Sequence, residues 1–252
     1  MTRKLLALTA LAAISPASFA VPLIDLEIGA GSWHQSTSGS IGSSNTNAGD
    51  IGIDDQNGNV FYATFEWPLP LLPNVKIKHT GLEVEGNSTL SSGFTFINET
   101  FTAGSPVAAK LDLSHTDLTL YYGLPEFYLD VDLGATLRFF DGEASATGTV
   151  GGAPSSESTN LSFVVPMAFA DVRLNLPFTG LYAGVEGNLL SIGDNTLRDF
   201  TAKIGYTFDV IPFLADLELE GGFRSLDLEL DADDVKADVT IDGPYFAVQV
   251  SF

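Results

Sequence analysis

The sequence predicts an all-β fold, a transmembrane antiparallel up-and-down β-barrel of about ten strands. Three observations carry that prediction. Apolar and polar residues alternate with period two from residue 21 onward, and helical periodicity appears nowhere in that stretch. Two kinds of connection alternate strictly between the strands. The chain also ends on "FAVQVSF", a strand whose Phe246, Val248, Val250 and Phe252 keep one face apolar up to the last residue.

The first twenty residues read as a signal peptide rather than as part of the barrel. Arg3 and Lys4 precede an apolar run from Leu5 to Ile14, and a small-residue site ends at Ser18-Phe19-Ala20. The expected division is therefore 1–20 signal peptide and 21–252 barrel. No later stretch reaches the roughly 18 consecutive apolar residues of a membrane helix, so a membrane-embedded mature chain crosses as strands.

Strands are expected near 23–35, 58–67, 75–85, 111–122, 127–139, 161–175, 181–190, 198–209, 213–229 and 238–252. The compact, proline-containing connections are 68–74, 123–126, 176–180 and 210–213. Those expected to be long polar loops are 36–57, 86–110, 140–160, 191–197 and 230–237. Short turns on one rim and long loops on the other match bacterial outer-membrane barrels, whose even strand number puts both chain ends on the periplasmic rim. Trp67, Tyr121, Tyr122, Phe178 and Phe213 are expected to form an aromatic girdle near that rim.

Alternation alone fits a soluble barrel as well as a membrane barrel. The signal peptide, the alternating connections and the terminal strand favour the membrane form. In 127–139 the odd residues from Phe127 to Phe139 are apolar, whereas Asp130, Asp132 and Arg138 occupy the other face. By the same parity the lumen receives Glu27, Glu66, Lys76, Lys78, Asp130, Asp132, Arg138, Asp171, Arg173, Glu186, Lys203, Asp216, Glu218, Glu220 and Arg224. Both signs are present, so a salt-bridged plug is favoured over a narrow, cation-preferring pore. Parity conflicts at Leu226, Leu228 and Leu230, which share Arg224's side of the strand but look lipid-facing; Gly221-Gly222 just before them suggests a bulge or a close strand approach.

Charge excludes nucleic acid as a partner. The chain has 11 basic and 32 acidic residues and a formal charge of −21, which repels phosphate backbones. Cysteine is absent, so no thiolate chemistry or disulfide enters.

The residues from Glu218 to Phe252 resemble the C-terminal signature of a family of proteobacterial outer-membrane β-barrel proteins named for its Gly-Gly motif. The matching features are Gly221-Gly222, an aromatic residue, Arg224, an acidic run from Asp231 to Asp234, "KAD" at 236–238, Gly243-Pro244-Tyr245 and terminal Phe252. The resemblance implies an outer-membrane barrel and brings no established activity. The terminal strand also looks like the signal read by the barrel-assembly machinery, which would join it by strand addition.

Residues for catalysis are sparse. The three histidines, His34, His79 and His115, lie in no Asp-x-His pattern of the kind that omptin-like proteases use, and Ser114 and His115 point to opposite faces. The expectation is a non-enzymatic protein without a cofactor, its histidines sitting at the rim. Expected partners are outer-membrane lipids and lipopolysaccharide. Asp54-Asp55 and the carboxylates at 231–234 could hold divalent cations loosely.

Overall fold

The computed structural model describes residues 25–41, 46–47, 55–69, 71–89, 94–96, 99–125, 128–193, 195–211, 215–232 and 235–252. The expected signal peptide, Asp54, Phe127, Phe213 and Asp233-Asp234 lie outside the described residues. The strands are β1 (Asp25–Ile41), β2 (Thr46–Asn47), β3 (Gln56–Glu66), β4 (Asn74–Thr80), β5 (Glu83–Thr89), β6 (Phe94–Phe96), β7 (Glu99–Phe101) and β8 (Pro106–Asp112). They continue with β9 (His115–Pro125), β10 (Leu129–Val150), β11 (Ala153–Asn175), β12 (Leu181–Ile192), β13 (Asn195–Ile211), β14 (Ala215–Ala232) and β15 (Val235–Ser251).

Ten of these close a barrel in the order β1-β3-β4-β9-β10-β11-β12-β13-β14-β15, with β15 returning to β1. Every neighbouring pair is antiparallel, so each backbone donor finds a partner without an open edge in lipid. Closure reaches the last residue. The Phe252 amide donates to Leu26 O at 2.9 Å and the Leu26 amide donates back to Phe252 O at 3.3 Å.

The outer end differs from expectation. Residues 140–160 are strand for most of their length, because β10 and β11 run on as one hairpin across a turn at Gly151-Gly152, with φ of 57° and 88°. Two successive left-handed residues are what a tight hairpin turn needs, and glycine adopts them without a Cβ penalty. Likewise β12 and β13, and β14 and β15, are separated by two residues each. Gly/Ser/Thr-rich composition had suggested loop; long-range strand pairing overrides that local preference. The β5–β8 hairpin continues β4 and β9 outward and pairs with β10 through Ala144–Thr147.

The outside of the barrel carries an apolar belt. Leu133, Leu137 and Phe139 on β10, Val172 and Leu174 on β11, and Phe200, Ile204 and Phe208 on β13 are all exposed outward. Phe246 and Phe252 are outward too, as expected of the terminal strand. Tyr122, Tyr128 and Phe178 stand exposed toward the proline-turn rim, whereas Tyr121 is buried and points inward, so it does not belong to the girdle. Replacing Ile204, 61% exposed on the belt, by Arg is expected to cost about 2–4 kcal/mol, the midplane range for lipid-facing strand positions. Equilibrium unfolding in lipid vesicles measures it, with an equal substitution at exposed Glu229 as the near-neutral comparison.

Above the belt the pattern inverts, and this resolves the parity conflict on β14. Outward positions become polar, at Asp141 and Glu143 on β10, Asp227 and Glu229 on β14, and Asp242 on β15. Inward positions become apolar. Trp33, Leu82, Leu113, Phe140, Met167, Leu197, Leu226, Val239 and Ile241 form one buried cluster. Leu226 is 2% exposed inside the barrel, and β14 and β15 pair in unbroken register past it. There is therefore no bulge at Gly221-Gly222; strand direction is kept and solvent changes from lipid to water outside.

Candidate functional site: the barrel lumen

Every lumen position assigned by parity belongs to the strand face that points inside, and the charged ones fall into levels. Nearest the apolar cluster lies a buried arginine–aspartate cross-link. Arg138 donates from Nε to Asp117 Oδ1 at 2.7 Å and from Nη2 to Asp117 Oδ2 at 2.8 Å, and also from Nη2 to Asp199 Oδ2 at 2.6 Å. Arg224 donates to the same Asp199 through Nε at 2.8 Å and Nη2 at 2.7 Å, and to Thr80 Oγ1 at 3.2 Å. Its guanidinium carbon lies 4.6 Å from the Trp33 ring centroid. Arg138 is 0% exposed and Asp199 2%. Strands β4, β9, β10, β13 and β14 are thus tied across the lumen by paired, charge-assisted bonds.

One level toward the proline-turn rim, Glu186 on β12 accepts from Lys76 Nζ at 2.5 Å and Lys78 Nζ at 2.6 Å, with Lys203 Nζ at 3.8 Å. Lys203 also donates to Asp171 at 2.8 Å. Beside them Arg173 donates to both oxygens of Glu218 at 3.1 and 3.0 Å and lies 3.6 Å from the Tyr182 ring centroid. Glu220 accepts from the hydroxyls of Tyr182 and Tyr245. Glu66 is bonded by Tyr121 at 2.6 Å and Asp130 by Asn175 at 2.6 Å, whereas Asp132 and Glu27 of the expected lumen set join no hydrogen bond or ion pair through their side chains among the described residues.

The C-terminal motif serves this packing. Gly222 pairs with Tyr245 across the sheet. A Cβ on Gly222 would stand 2.0 Å from the Ala202 carbonyl oxygen and 2.7 Å from the Tyr245 ring, so only glycine fits. Arg224 pairs in turn with Gly243, whose φ is 153° and where a Cβ would meet the His34 carbonyl oxygen at 2.1 Å. Gly-Gly, Arg224 and Gly-Pro-Tyr are one packing unit around the arginine, close approach being the reason for the glycines.

Asp117 and His115 are lumen residues outside the parity assignment, and Asp199 shares the polar face of β13 with Lys203. His115 is 1% exposed inside the barrel rather than at the rim. Its Nδ1 bonds the Leu113 carbonyl oxygen at 2.9 Å. The available signal was the spacing His115-Thr116-Asp117, which puts imidazole and carboxylate on one strand face. His34 and His79 do sit on the outer surface, bonded to Asn57 and Thr116.

His115, Asp117 and Asp199 present ligand atoms within 4.8 Å of one another, as a metal site would. The chemistry of their surroundings contradicts one. All four carboxylate oxygens already accept from guanidinium nitrogens, and two arginine cations border the place where a third positive charge would enter. The group is a structural ion cluster.

Below these levels the lumen opens to the proline-turn rim as a cavity of about 490 Å³, reaching from Asp25 and Ser251 at its mouth to Trp33 and Arg224 at its floor. A closed barrel of ten antiparallel strands, with an ionic inside and an apolar outside, has its place in lipid. The chain is an integral outer-membrane β-barrel.

No protein-family model and no curated protein sequence matches the chain. Among solved structures it is similar to the outer membrane protease OmpT from Escherichia coli, at 10% identity and a TM-score of 0.49, over 93% of this chain and 98% of that one. It is also similar to an outer membrane channel from Pseudomonas putida F1, at 12% identity and a TM-score of 0.42, over 94% and 98%. A third similarity is to the transport unit of the autotransporter AIDA-I from Escherichia coli, at 11% identity and a TM-score of 0.38, over 95% and 94%. Likeness at this level transfers no activity.

Proposed function

We propose that the protein is a non-enzymatic, plugged barrel with a structural role, presenting the water-facing outer part of its wall at the cell surface. The supporting observation is the stacked seal across the lumen: the Arg138–Asp199–Arg224 level, and above it the apolar cluster in which Trp33, Leu82 and Ile241 are 0% exposed. Purified protein in planar bilayers should show no unitary conductance steps; regular, voltage-stable steps would replace the plug by a pore. The non-enzymatic reading has its own support. Of the two imidazole–carboxylate pairings among the described residues, His115 with Asp117 and Asp199 is buried out of a substrate's reach with arginines on both carboxylates, and His34 with Asp55 is an exposed surface pair at 3.7 Å.

Lipid and lipopolysaccharide are the proposed surroundings of the belt, and loosely held divalent cations the proposed counterions of the outward carboxylates above it. For β15 the reading adds recognition by the barrel-assembly machinery. Deleting Phe252 removes the last rung to Leu26 and one outward aromatic. Heat-modifiable gel mobility of membrane fractions should then show less folded protein in cells, whereas refolding of the same variant in detergent is nearly normal. Equal losses in both settings would reduce the role of Phe252 to stability alone.

A further inference from the structure

The 490 Å³ cavity open to the proline-turn rim is large enough for a small molecule, whose pockets span about 300–1,000 Å³. Its charges are unequal. Eight carboxylates and five cationic side chains line it, and each cation is committed: Lys76 and Lys78 to Glu186, Lys203 to Asp171, Arg173 to Glu218, and Arg224 to Asp199. Among the described residues the side chains of Asp25, Glu27 and Asp132 have neither a hydrogen bond nor an ion pair, and those of Glu66 and Asp130 are met only by neutral donors. These five carboxylates sit on β1, β3 and β10, with β4 and β9 between the last two, so they are spread around the vestibule wall. Tyr62, Tyr121, Tyr245 and Phe169 line the same cavity and supply aromatic surface of the kind that attracts organic cations.

We propose that this vestibule binds a small organic polycation carrying several amines. A metal ion fits less well, because the only three imidazole or carboxylate groups close enough to chelate, among the described residues, are His115, Asp117 and Asp199 at the seal. The vestibule carboxylates are too dispersed for a compact ion but suit an extended chain of positive charges between ring faces. Access is from the proline-turn side, so the ligand comes from the periplasm. The binding does not depend on whether the seal above conducts, and bilayer conductance tests that separately.

Spermidine is the probe. Folded protein in a neutral detergent is titrated calorimetrically, and amide shifts of Ala247 and Gln249, which line the cavity, are followed by NMR. The expected result is saturable one-to-one binding that moves both amides, weakens with added salt, and is not reproduced by Mg²⁺ at equal ionic strength. Combining Glu27→Gln with Asp132→Asn should weaken binding by about tenfold or more, equivalent to about 1.4 kcal/mol. Combining Glu83→Gln with Glu85→Gln on the outer hairpin should leave it unchanged. The proposal is overturned if wild-type protein gives no saturable binding, if Mg²⁺ moves the same amides equally, or if the folded vestibule variant binds as wild type does. The amide shifts are read on wild-type protein and decide the matter even if that variant does not fold.

Discussion

Arg138→Met should lower the unfolding free energy by about 3–5 kcal/mol, the usual consequence of removing one partner from a buried ion pair. The size follows from what is left behind. Asp117 loses both of its guanidinium bonds, and Asp199 retains only Arg224. At 1–2% exposure neither carboxylate can recover the loss from water. Arg224→Met should cost less, since Asp199 then keeps its bond from Arg138 and Asp117 keeps both of its own. Adding Asp117→Asn to Arg138→Met should restore part of the stability, because the stranded charge is gone. Denaturant unfolding in detergent micelles, followed by tryptophan fluorescence, gives all the values. Equal, small losses in both arginine variants would mean that the level is wet and that charge there is screened.

The second large effect is expected at Glu186. It is the common acceptor for Lys76 and Lys78 and lies 3.8 Å from Lys203. Glu186→Gln keeps the shape and removes the charge, leaving three ammonium groups gathered around a neutral amide. Only Lys203 has another carboxylate, Asp171. A loss again of about 3–5 kcal/mol is expected, against a smaller one for Asp171→Asn, after which Lys203 still has Glu186 nearby. The temperature at which the folded gel band disappears ranks the two variants. If Asp171→Asn proves the more damaging, the lysines are anchored differently from the arrangement described.

The ten barrel strands, and the inward side of most of them, were legible in the sequence because a period of two fixes the face of every residue once one is placed; β9 is the exception, its Tyr121 expected in the outward girdle and found inside. Lys76, Glu186 and Lys203 could therefore be assigned to the lumen without knowing which of them meet. Pairing across a lumen depends on shear and tilt, which alternation does not contain. The reading failed where the solvent changes. By parity Leu226 reads as a lipid-facing residue out of phase, since apolar means outside for the strand segments below it. Past the membrane surface, apolar means inside again, and a rule with one solvent cannot see that. Residues 140–160 read as a loop on the same ground, because their Ser, Thr and Gly suit a strand with water on one face as well as they suit a coil. His115 and Asp117 carry a simpler signal: the order His-x-Asp places its two side chains on one strand face as well as Asp-x-His does.

The inversion has a consequence for how the protein is made. Asp141, Glu143, Asp227, Glu229 and Asp242, now outside the wall above the belt, start on the periplasmic side and must all traverse the bilayer before reaching water again. Moving carboxylates through hydrocarbon is costly, so passage needs a shielded route, and hairpins joined by two residues have no slack to cross one strand at a time. The apolar cluster around Trp33 gathers side chains from hairpins at both ends of the chain, so it can form only after the last of them has crossed. Its collapse then acts as a latch: returning any hairpin would mean opening that cluster to water and dragging the acids back through lipid, and the direction of insertion becomes irreversible on completion.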